Sequence, residues 1–207
     1  MTPHPATPLR TIPPVDADLR IRLATLCHEG WEMWDRFDVQ VRGEAFHPFV
    51  AADYDLILAA LMPLQASGTR FLEWGSATGV ITILADLLGF DACGIELDPD
   101  LVRASRELAS RWDSQARFAA GSFLPTGYRF RSPRGDDRLG TIGEGVSGYL
   151  ELGRSLDDFD VVYGFPWGGE EAMMLDLMAR YGRADALLLL NEVNGGLRMY
   201  RDGRLVS

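Results

Sequence analysis

The spacing of apolar residues changes near residue 67. Before this point, apolar residues recur every three or four positions, which predicts helices at 16–35 and 51–62. After it, short apolar runs alternate with helical patterns, which predicts a mostly parallel sheet with helices on both faces. The predicted strands are 71–74, 92–97, 116–120, 160–164 and the run ADALLLLNEV at 184–193. The predicted helices between them are 80–88, 99–112 and 170–181. Asp98 is expected to cap the second of these, with Pro99 at its first position. Trp31 and Tyr181 are expected on the buried faces of their helices.

Three other segments complete the predicted organisation of the chain. Residues 1–15 contain five prolines and are expected to form a flexible tail. Residues 125–156 are rich in glycine and arginine, and they are expected to form a long insertion that is either a lid or disordered. Asp202-Gly203 between two short β-like runs predicts a C-terminal β-hairpin. The expected units are therefore the tail, N-terminal helices at 16–66 and an α/β domain at 67–207.

Composition and charge narrow the classes of function. The 207 residues carry a net charge of −10, which disfavours a nucleic-acid partner because an acidic surface repels phosphates. The two cysteines, Cys27 and Cys93, have no metal-binding spacing with each other or with the three histidines, so no metal site is predicted. No apolar run is long enough to predict a membrane span. The default expectation is a soluble, cytoplasmic protein.

A loop rich in small residues follows the first predicted strand, in the segment FLEWGSATG at 71–79. In an open α/β sheet, ligands bind at the carboxyl ends of the strands. Gly75 and Gly79 permit positive φ and let a ligand approach the backbone closely. A dinucleotide fingerprint would need glycines at 75, 77 and 80, whereas this chain has Ala77 and Val80 at the last two positions.

The spacing E-x-G-x-x-x-G resembles motif I of the class I S-adenosylmethionine-dependent methyltransferases, which is written (D/E)-x-G-x-G-x-G. This resemblance implies a Rossmann-like, doubly wound fold and S-adenosylmethionine as the cofactor. In the family, the loop packs against the methionine part of the cofactor and the acid lies near its amino end. The chain departs from the motif at the middle glycine. The cofactor-binding residues that the resemblance implies here are Glu73, Gly75, Ser76, Ala77 and Gly79.

An acidic residue also ends the second predicted strand. Glu96 lies 17 residues after Gly79, and its carboxylate can accept both ribose hydroxyls of a nucleoside. NAD-dependent enzymes use such an acid as well, so Glu96 alone does not distinguish the two cofactors. The segment GIELDP resembles the matching methyltransferase segment and adds Leu97 to the implied site. After the third strand, Ser122 or the backbone of Phe123 could bind adenine, and the Phe123 ring could stack on it or belong to the core.

The fourth predicted strand ends in the segment VVYGFPWGGEE. Amino-methylating members of the family carry (N/D/S)-P-P-(Y/F/W) at this place, where this chain has Gly164-Phe165-Pro166-Trp167. The resemblance implies catalytic positions at Pro166 and Trp167 and a cofactor contact at Gly164, although Gly164 has no side chain that could orient an amine. The alternative is a tight turn with a buried tryptophan.

Five other side chains are candidates at the reacting end. Tyr163, His47 and Glu192 could serve as the catalytic base, which is needed only if the nucleophile must lose a proton. Glu170 and Glu171 begin a predicted helix, where they either complement the helix dipole or bind a cationic substrate and accept a proton.

Three functions stay open at this point. The first is a methyltransferase that moves a methyl group from S-adenosylmethionine to a nitrogen or oxygen of a small molecule or protein side chain. The second is a non-catalytic module that binds the same cofactor. The third is an NAD-dependent oxidoreductase, which the glycine spacing disfavours. In the first two, the helices at 16–66 are expected to cover the substrate side.

Overall fold

The computed structural model describes residues 15–41, 50–129, 145–166, 170–192 and 196–206. Within these ranges, seven strands form one sheet. The strands are β1 (Arg70–Trp74), β2 (Asp91–Glu96), β3 (Arg117–Ala120), β4 (Val161–Gly164), β5 (Leu187–Asn191), β6 (Leu197–Arg201) and β7 (Arg204–Leu205). The α-helices are α1 (Ala17–Val41), α2 (Tyr54–Leu61), α3 (Val80–Leu87), α4 (Pro99–Arg111), α5 (Gly148–Leu152) and α6 (Glu170–Tyr181).

The direction in which the chain adds strands to the sheet reverses once, at the centre of the sheet. The order is β3-β2-β1-β4-β5-β6-β7, with β1 to β5 parallel and with β6 antiparallel to β5. The chain adds strands on one side of β1 and then returns to continue on the other side through β4. Glu73 pairs with Tyr163 and Trp74 with Gly164, so the carboxyl ends of β1 and β4 lie side by side. Ligands bind at this kind of switch point in open α/β sheets.

Both faces of the sheet are buried under helices. One apolar core lies beneath α1 to α4 and includes Leu23, Ile57, Phe71, Ile83 and Leu108. The second core lies on the opposite face beneath α5 and α6 and includes Leu72, Tyr149, Met173 and Leu177. The run of four leucines in β5 is buried throughout, as expected for a strand that is covered on both sides. The predicted doubly wound α/β fold is therefore confirmed.

Two local predictions are also confirmed by the backbone. Asp202 and Gly203 have φ values of +51° and +69°, which fits the two-residue turn with positive φ at both central positions that joins β6 to β7. At the start of α4, the Asp98 side chain accepts a hydrogen bond from the Asp100 backbone N–H at 2.8 Å, and Pro99 occupies the first turn.

Three features of the helices differ from the predictions. α1 continues to Val41 rather than ending near residue 35. Trp31 was expected on its buried face but is 39% exposed, because its ring packs edge-on against Tyr54 at the rim of the core. Tyr181 was expected to point inward and is 37% exposed, because it ends α6 at the protein surface. Among the described residues, no helix is both long and apolar enough to cross a membrane.

Part of the expected insertion at 125–156 forms regular secondary structure. Its last part carries α5, whose Tyr149 and Leu152 are buried against the sheet, and a short 3-10 helix at Leu156–Asp158 follows. Ser122 and Ser147 form an isolated parallel bridge that fixes the start of α5 next to the end of β3. Because α5 has only five residues, its apolar pattern is too short to be recognised from sequence. Residues 130–144 lie outside the described residues.

Candidate functional site

A cavity of about 500 Å³ lies at the carboxyl ends of β1, β2 and β4. Its walls come from the loop after β1, the turn after β2, residues 121–123, the segment before α2 and three residues at the end of β4, Tyr163, Phe165 and Pro166. This volume is in the range typical of small-molecule sites. Of the predicted site residues, the cavity is lined by Glu73, Gly75, Ser76, Ala77, Glu96, Leu97, Ser122, Phe123, Tyr163 and Pro166.

The two glycines of the loop after β1 have different roles. Gly75 has a φ of +69°, and a Cβ added there would meet no atom within 4 Å, so its backbone borders open space in the cavity. Gly79 has a φ of +80° and precedes α3, but it does not line the cavity. A Cβ at Gly79 would lie 2.7 Å from ring atoms of Phe118 and from the Cβ of Ser105. Gly75 thus suits close approach of a ligand, whereas Gly79 is needed for packing.

The carboxylate of Glu96 connects the first loop to the second. One oxygen accepts a hydrogen bond from the Ala77 backbone N–H and the other from the Asp98 backbone N–H, both at 2.9 Å. Burial raises the pKa of Glu96, and these backbone hydrogen bonds oppose the shift. Each carboxylate oxygen has a second lone pair, so Glu96 can still accept hydroxyl groups of a ligand.

Ala77 adopts an unusual backbone conformation for a residue with a side chain. Its φ is +45°, and it is one of three non-glycine residues with positive φ in the described part of the chain. A left-handed conformation costs an L-residue about 1–2 kcal/mol. This is the position at which the family motif has its middle glycine.

We expect Ala77→Gly to raise the free energy of unfolding by about 0.5–1 kcal/mol, since relief of the left-handed strain exceeds the added flexibility of the unfolded chain. The Ala77 N–H that donates to Glu96 is retained in this variant. Urea denaturation of both proteins measures the effect. A loss of stability would show that the methyl group makes favourable contacts that outweigh the strain.

Glu73 is buried between the cavity and α3. It is 4% exposed, and one of its oxygens accepts hydrogen bonds from the Thr82 backbone N–H at 2.9 Å and from the Thr82 hydroxyl. Desolvation is the largest influence and raises the pKa of Glu73 to about 8. The sequence indicated Glu73 but not its partner Thr82, because a single threonine in an apolar helix is also common without any functional role.

We expect Glu73→Gln to gain stability relative to the native protein as the pH rises from about 4.5 to about 8. In this window the folded protein holds a proton on Glu73 that the unfolded chain releases, so the native free energy of unfolding falls with pH. The glutamine side chain cannot titrate, and its carbonyl can still accept both bonds from Thr82. Urea titrations at pH 5 and pH 8 give the change in the free energy of unfolding of each protein between these pH values. The two changes should differ by at least ~1 kcal/mol. A difference that does not change with pH would contradict the raised pKa.

Aromatic residues form the wall near the end of β3. Trp74 stacks on Phe123 with ring centroids 5.4 Å apart, and the Trp74 indole N–H donates to the Tyr149 hydroxyl at 2.8 Å. The Ser122 backbone N–H donates to the Val146 carbonyl, and the Gly148 N–H donates to the Ser122 carbonyl, both at 2.9 Å. Phe123 therefore belongs to the core and also lines the cavity.

Two of the remaining predicted residues, Tyr163 and Gly164, lie at the end of β4. Tyr163 is 2% exposed and lines the cavity, and its hydroxyl has no hydrogen-bond partner among the described residues. Gly164 does not line the cavity; an added Cβ there would lie 3.0 Å from the sulfur of Met174. His47 and Trp167, both predicted to be catalytic, lie outside the described residues.

Several lining residues were not among the predicted site residues. Val50, Ala52 and Tyr54 reach the cavity from the segment that begins α2. Met174 reaches it from α6, as does Glu170, which the sequence did indicate as a candidate at the reacting end. For α2, the only sequence signal was the general expectation that the N-terminal helices cover the substrate side, which names no residue.

No family model matches the chain. The ribosomal protein L11 methyltransferase of Thermus thermophilus is 29% identical over 103 residues, which are 47% of this chain and 41% of that protein. The chain resembles the class I S-adenosylmethionine-dependent methyltransferases. This match confirms the resemblance that the loop after β1 and the segment GIELDP indicated. The matched residues span less than half the length of that relative.

Solved structures of methyltransferases are also similar to the chain. An RNA methyltransferase from Salinibacter ruber in complex with S-adenosyl-L-homocysteine has a TM-score of 0.46 and 16% identity, over 65% of this chain and 72% of that one. A SAM-dependent methyltransferase from Thiobacillus denitrificans, in complex with the same compound, has a TM-score of 0.45 and 19% identity, over 75% of this chain and 54% of that one.

Proposed function

We propose that this protein binds S-adenosylmethionine in the cavity and transfers its methyl group to a nitrogen or oxygen of a small molecule or protein side chain. The observation that carries the proposal is the pairing of Gly75 with Glu96 at the ends of adjacent strands. Gly75 offers open backbone with nothing within 4 Å of its Cβ position, and Glu96 offers a carboxylate in the same cavity. This arrangement fits the methionine part and the ribose of the cofactor in their expected order.

The residues of the cavity have three tasks in such a reaction. The bound cofactor supplies a methyl group that its sulfonium already activates, so alignment of the acceptor contributes most of the rate enhancement. Glu96 and the backbone of the loop after β1 orient the cofactor. Trp74, Phe123 and Phe165 exclude water, which strengthens the electrostatic interactions inside the cavity. Ala52 and Tyr54 supply a wall from the N-terminal segment, and we propose that this segment covers the substrate.

Calorimetry with S-adenosylhomocysteine and with NADH tests the cofactor. Binding of S-adenosylhomocysteine is the expected result, and binding of NADH alone would favour the oxidoreductase and contradict the proposal. Transfer of label from methyl-labelled S-adenosylmethionine to a panel of metabolites and proteins tests the reaction.

A non-catalytic binding module is the second candidate function. It is favoured by Gly164, which supplies no polar side chain at the place where amino-methylating enzymes hold their acceptor. Tight binding of S-adenosylhomocysteine without label transfer to any acceptor would support this module over the enzyme.

A further inference from the structure

The two carboxyl oxygens of Glu73 have different surroundings. One accepts two hydrogen bonds from Thr82, from the backbone N–H at 2.9 Å and from the side-chain hydroxyl. The other oxygen accepts no hydrogen bond from the described residues. Since Glu73 lines the cavity, this second oxygen is the one that a ligand can reach. It is also where a proton on Glu73 resides, because the oxygen that contacts Thr82 already accepts two bonds.

The groups around Glu73 offer no positive charge. Its titratable neighbours in the described part of the chain are Tyr54 on α2, Glu96 on β2 and Tyr163 on β4. No lysine, arginine or histidine lines the cavity among the described residues. A buried carboxylate without a cation is unfavourable, and Glu73 is only 4% exposed. Burial therefore raises the pKa of Glu73 to about 8, and its side chain is mostly neutral at neutral pH.

The proposed cofactor brings the positive charge that this part of the cavity lacks. In the proposed binding mode Glu96 holds the ribose and Gly75 borders the methionine part, and Glu73 lies on β1 two residues before Gly75. The methionine part ends in an ammonium group. A cation beside a buried carboxyl group favours its charged form and lowers its pKa. The two hydrogen bonds from Thr82 favour the charged form as well, so Glu73 is prepared to ionise when a cation arrives.

We propose that the protein releases a proton when it binds its cofactor: Glu73 is neutral in the free protein and ionises when the ammonium group of the ligand binds at the oxygen that does not contact Thr82. The proposal rests on the proposed function and specifies how the methionine part is recognised. The O–H bond of the carboxyl group breaks, its electron pair stays on oxygen, and the proton passes to solvent. Glu73 thereby selects ligands with a cationic amino end and makes their affinity depend on pH.

Isothermal titration calorimetry at pH 7, in buffers that differ in their heat of ionisation, counts the released protons. Three ligands are compared. They are S-adenosylhomocysteine, its decarboxylated form, which keeps the ammonium group, and methylthioadenosine, which keeps the nucleoside and the sulfur but has no ammonium group. We expect the first two to release between about 0.5 and 1 proton each and methylthioadenosine to release none. Binding of S-adenosylhomocysteine without release, no release by the decarboxylated form, or equal release by methylthioadenosine would overturn the proposal.

The affinity should change with pH in the direction that the proton requires. Between pH 6 and pH 8 we expect the affinity for S-adenosylhomocysteine to rise about three- to tenfold per pH unit, because removal of the proton becomes easier until the pH reaches the pKa of Glu73 in the free protein. The affinity for methylthioadenosine should change by less than about twofold over the same range. A flat profile for S-adenosylhomocysteine would contradict the proposal.

Two variants identify the source of the proton. Glu73→Gln should release no proton, and its affinity for S-adenosylhomocysteine should fall about tenfold at pH 8 while its affinity for methylthioadenosine stays within about threefold. Asp98→Asn removes a different carboxyl group from the lining, and it should retain the release. Release that persists in Glu73→Gln would show that another group, or the ligand itself, loses the proton, and the proposal would be wrong. Failure of the native protein to bind S-adenosylhomocysteine would instead contradict the proposed function itself.

Discussion

Gly79→Ala is expected to lower the free energy of unfolding by about 3 kcal/mol, the largest stability change that we predict for a single methyl group in this protein. Two effects add at this position. The φ of +80° is strained for any L-residue, and the new Cβ would lie 2.7 Å from both Phe118 and Ser105. Phe118 lies on β3 and Ser105 on α4, so relief of the clash requires movement of two packed elements. Urea denaturation monitored by circular dichroism measures the change.

Gly203→Ala is the matched control for this experiment. Gly203 has a φ of +69°, and an added Cβ would meet nothing within 4 Å. This variant therefore carries the cost of the backbone conformation without a clash, about 1–2 kcal/mol. The difference between the two variants isolates the packing contribution at Gly79. Equal losses in both variants would show that the contact with Phe118 and Ser105 relaxes freely, and Gly79 would then have no packing role.

Elements whose pattern repeats over several turns could be predicted from sequence. The bounds of α6 agree with the prediction at both ends, because its acidic first turn and its stop at Gly182 are local signals. The strands of the sheet were recognised because a short, continuous apolar run between two predicted helices is typical of a buried strand. The hairpin between β6 and β7 depends only on Asp202-Gly203, two adjacent residues whose conformational preference is strong.

Features that depend on distant contacts could not be predicted in the same way. Gly79 was assigned to the cofactor on the basis of the motif, yet its requirement for glycine comes from Phe118, which is 39 residues further along the chain. The bond from Thr82 to Glu73 likewise depends on how α3 packs against β1. Tyr54 reaches the cavity because α2 packs on α3 above the sheet, and this placement is not encoded in any short motif.

The proposed role of Glu96 in cofactor binding carries the largest expected effect on binding. Its two oxygens each accept a backbone N–H, from Ala77 and from Asp98. A glutamine has one carbonyl oxygen and one NH₂ group, so it can accept only one of these bonds. The other backbone N–H would then face an amide N–H. A loop that is no longer fixed on both sides loses the geometry that Gly75 and Ala77 present to the cofactor.

We therefore expect Glu96→Gln to weaken binding of S-adenosylhomocysteine by about 10- to 100-fold, which corresponds to about 1.4–3 kcal/mol. Part of the loss comes from the ribose, whose hydroxyls donate more strongly to a carboxylate than to an amide. Isothermal titration calorimetry at a fixed pH gives the affinity. Urea denaturation of the same samples establishes that the variant is folded at the temperature of the titration.

Asp98→Asn distinguishes the effect of the Glu96 hydrogen bonds on cofactor binding from the effect of negative charge in the cavity. Asp98 also lines the cavity, and its side chain caps α4 through the Asp100 N–H. Asparagine caps helices about as well as aspartate, so this variant removes one negative charge and leaves the loop intact. We expect its affinity for S-adenosylhomocysteine to remain within about threefold of the native value, because the carboxylate of Glu96 still joins Ala77 to the turn after β2. A loss as large as that of Glu96→Gln would mean that net charge governs cofactor binding, and the specific role assigned to Glu96 would then be wrong.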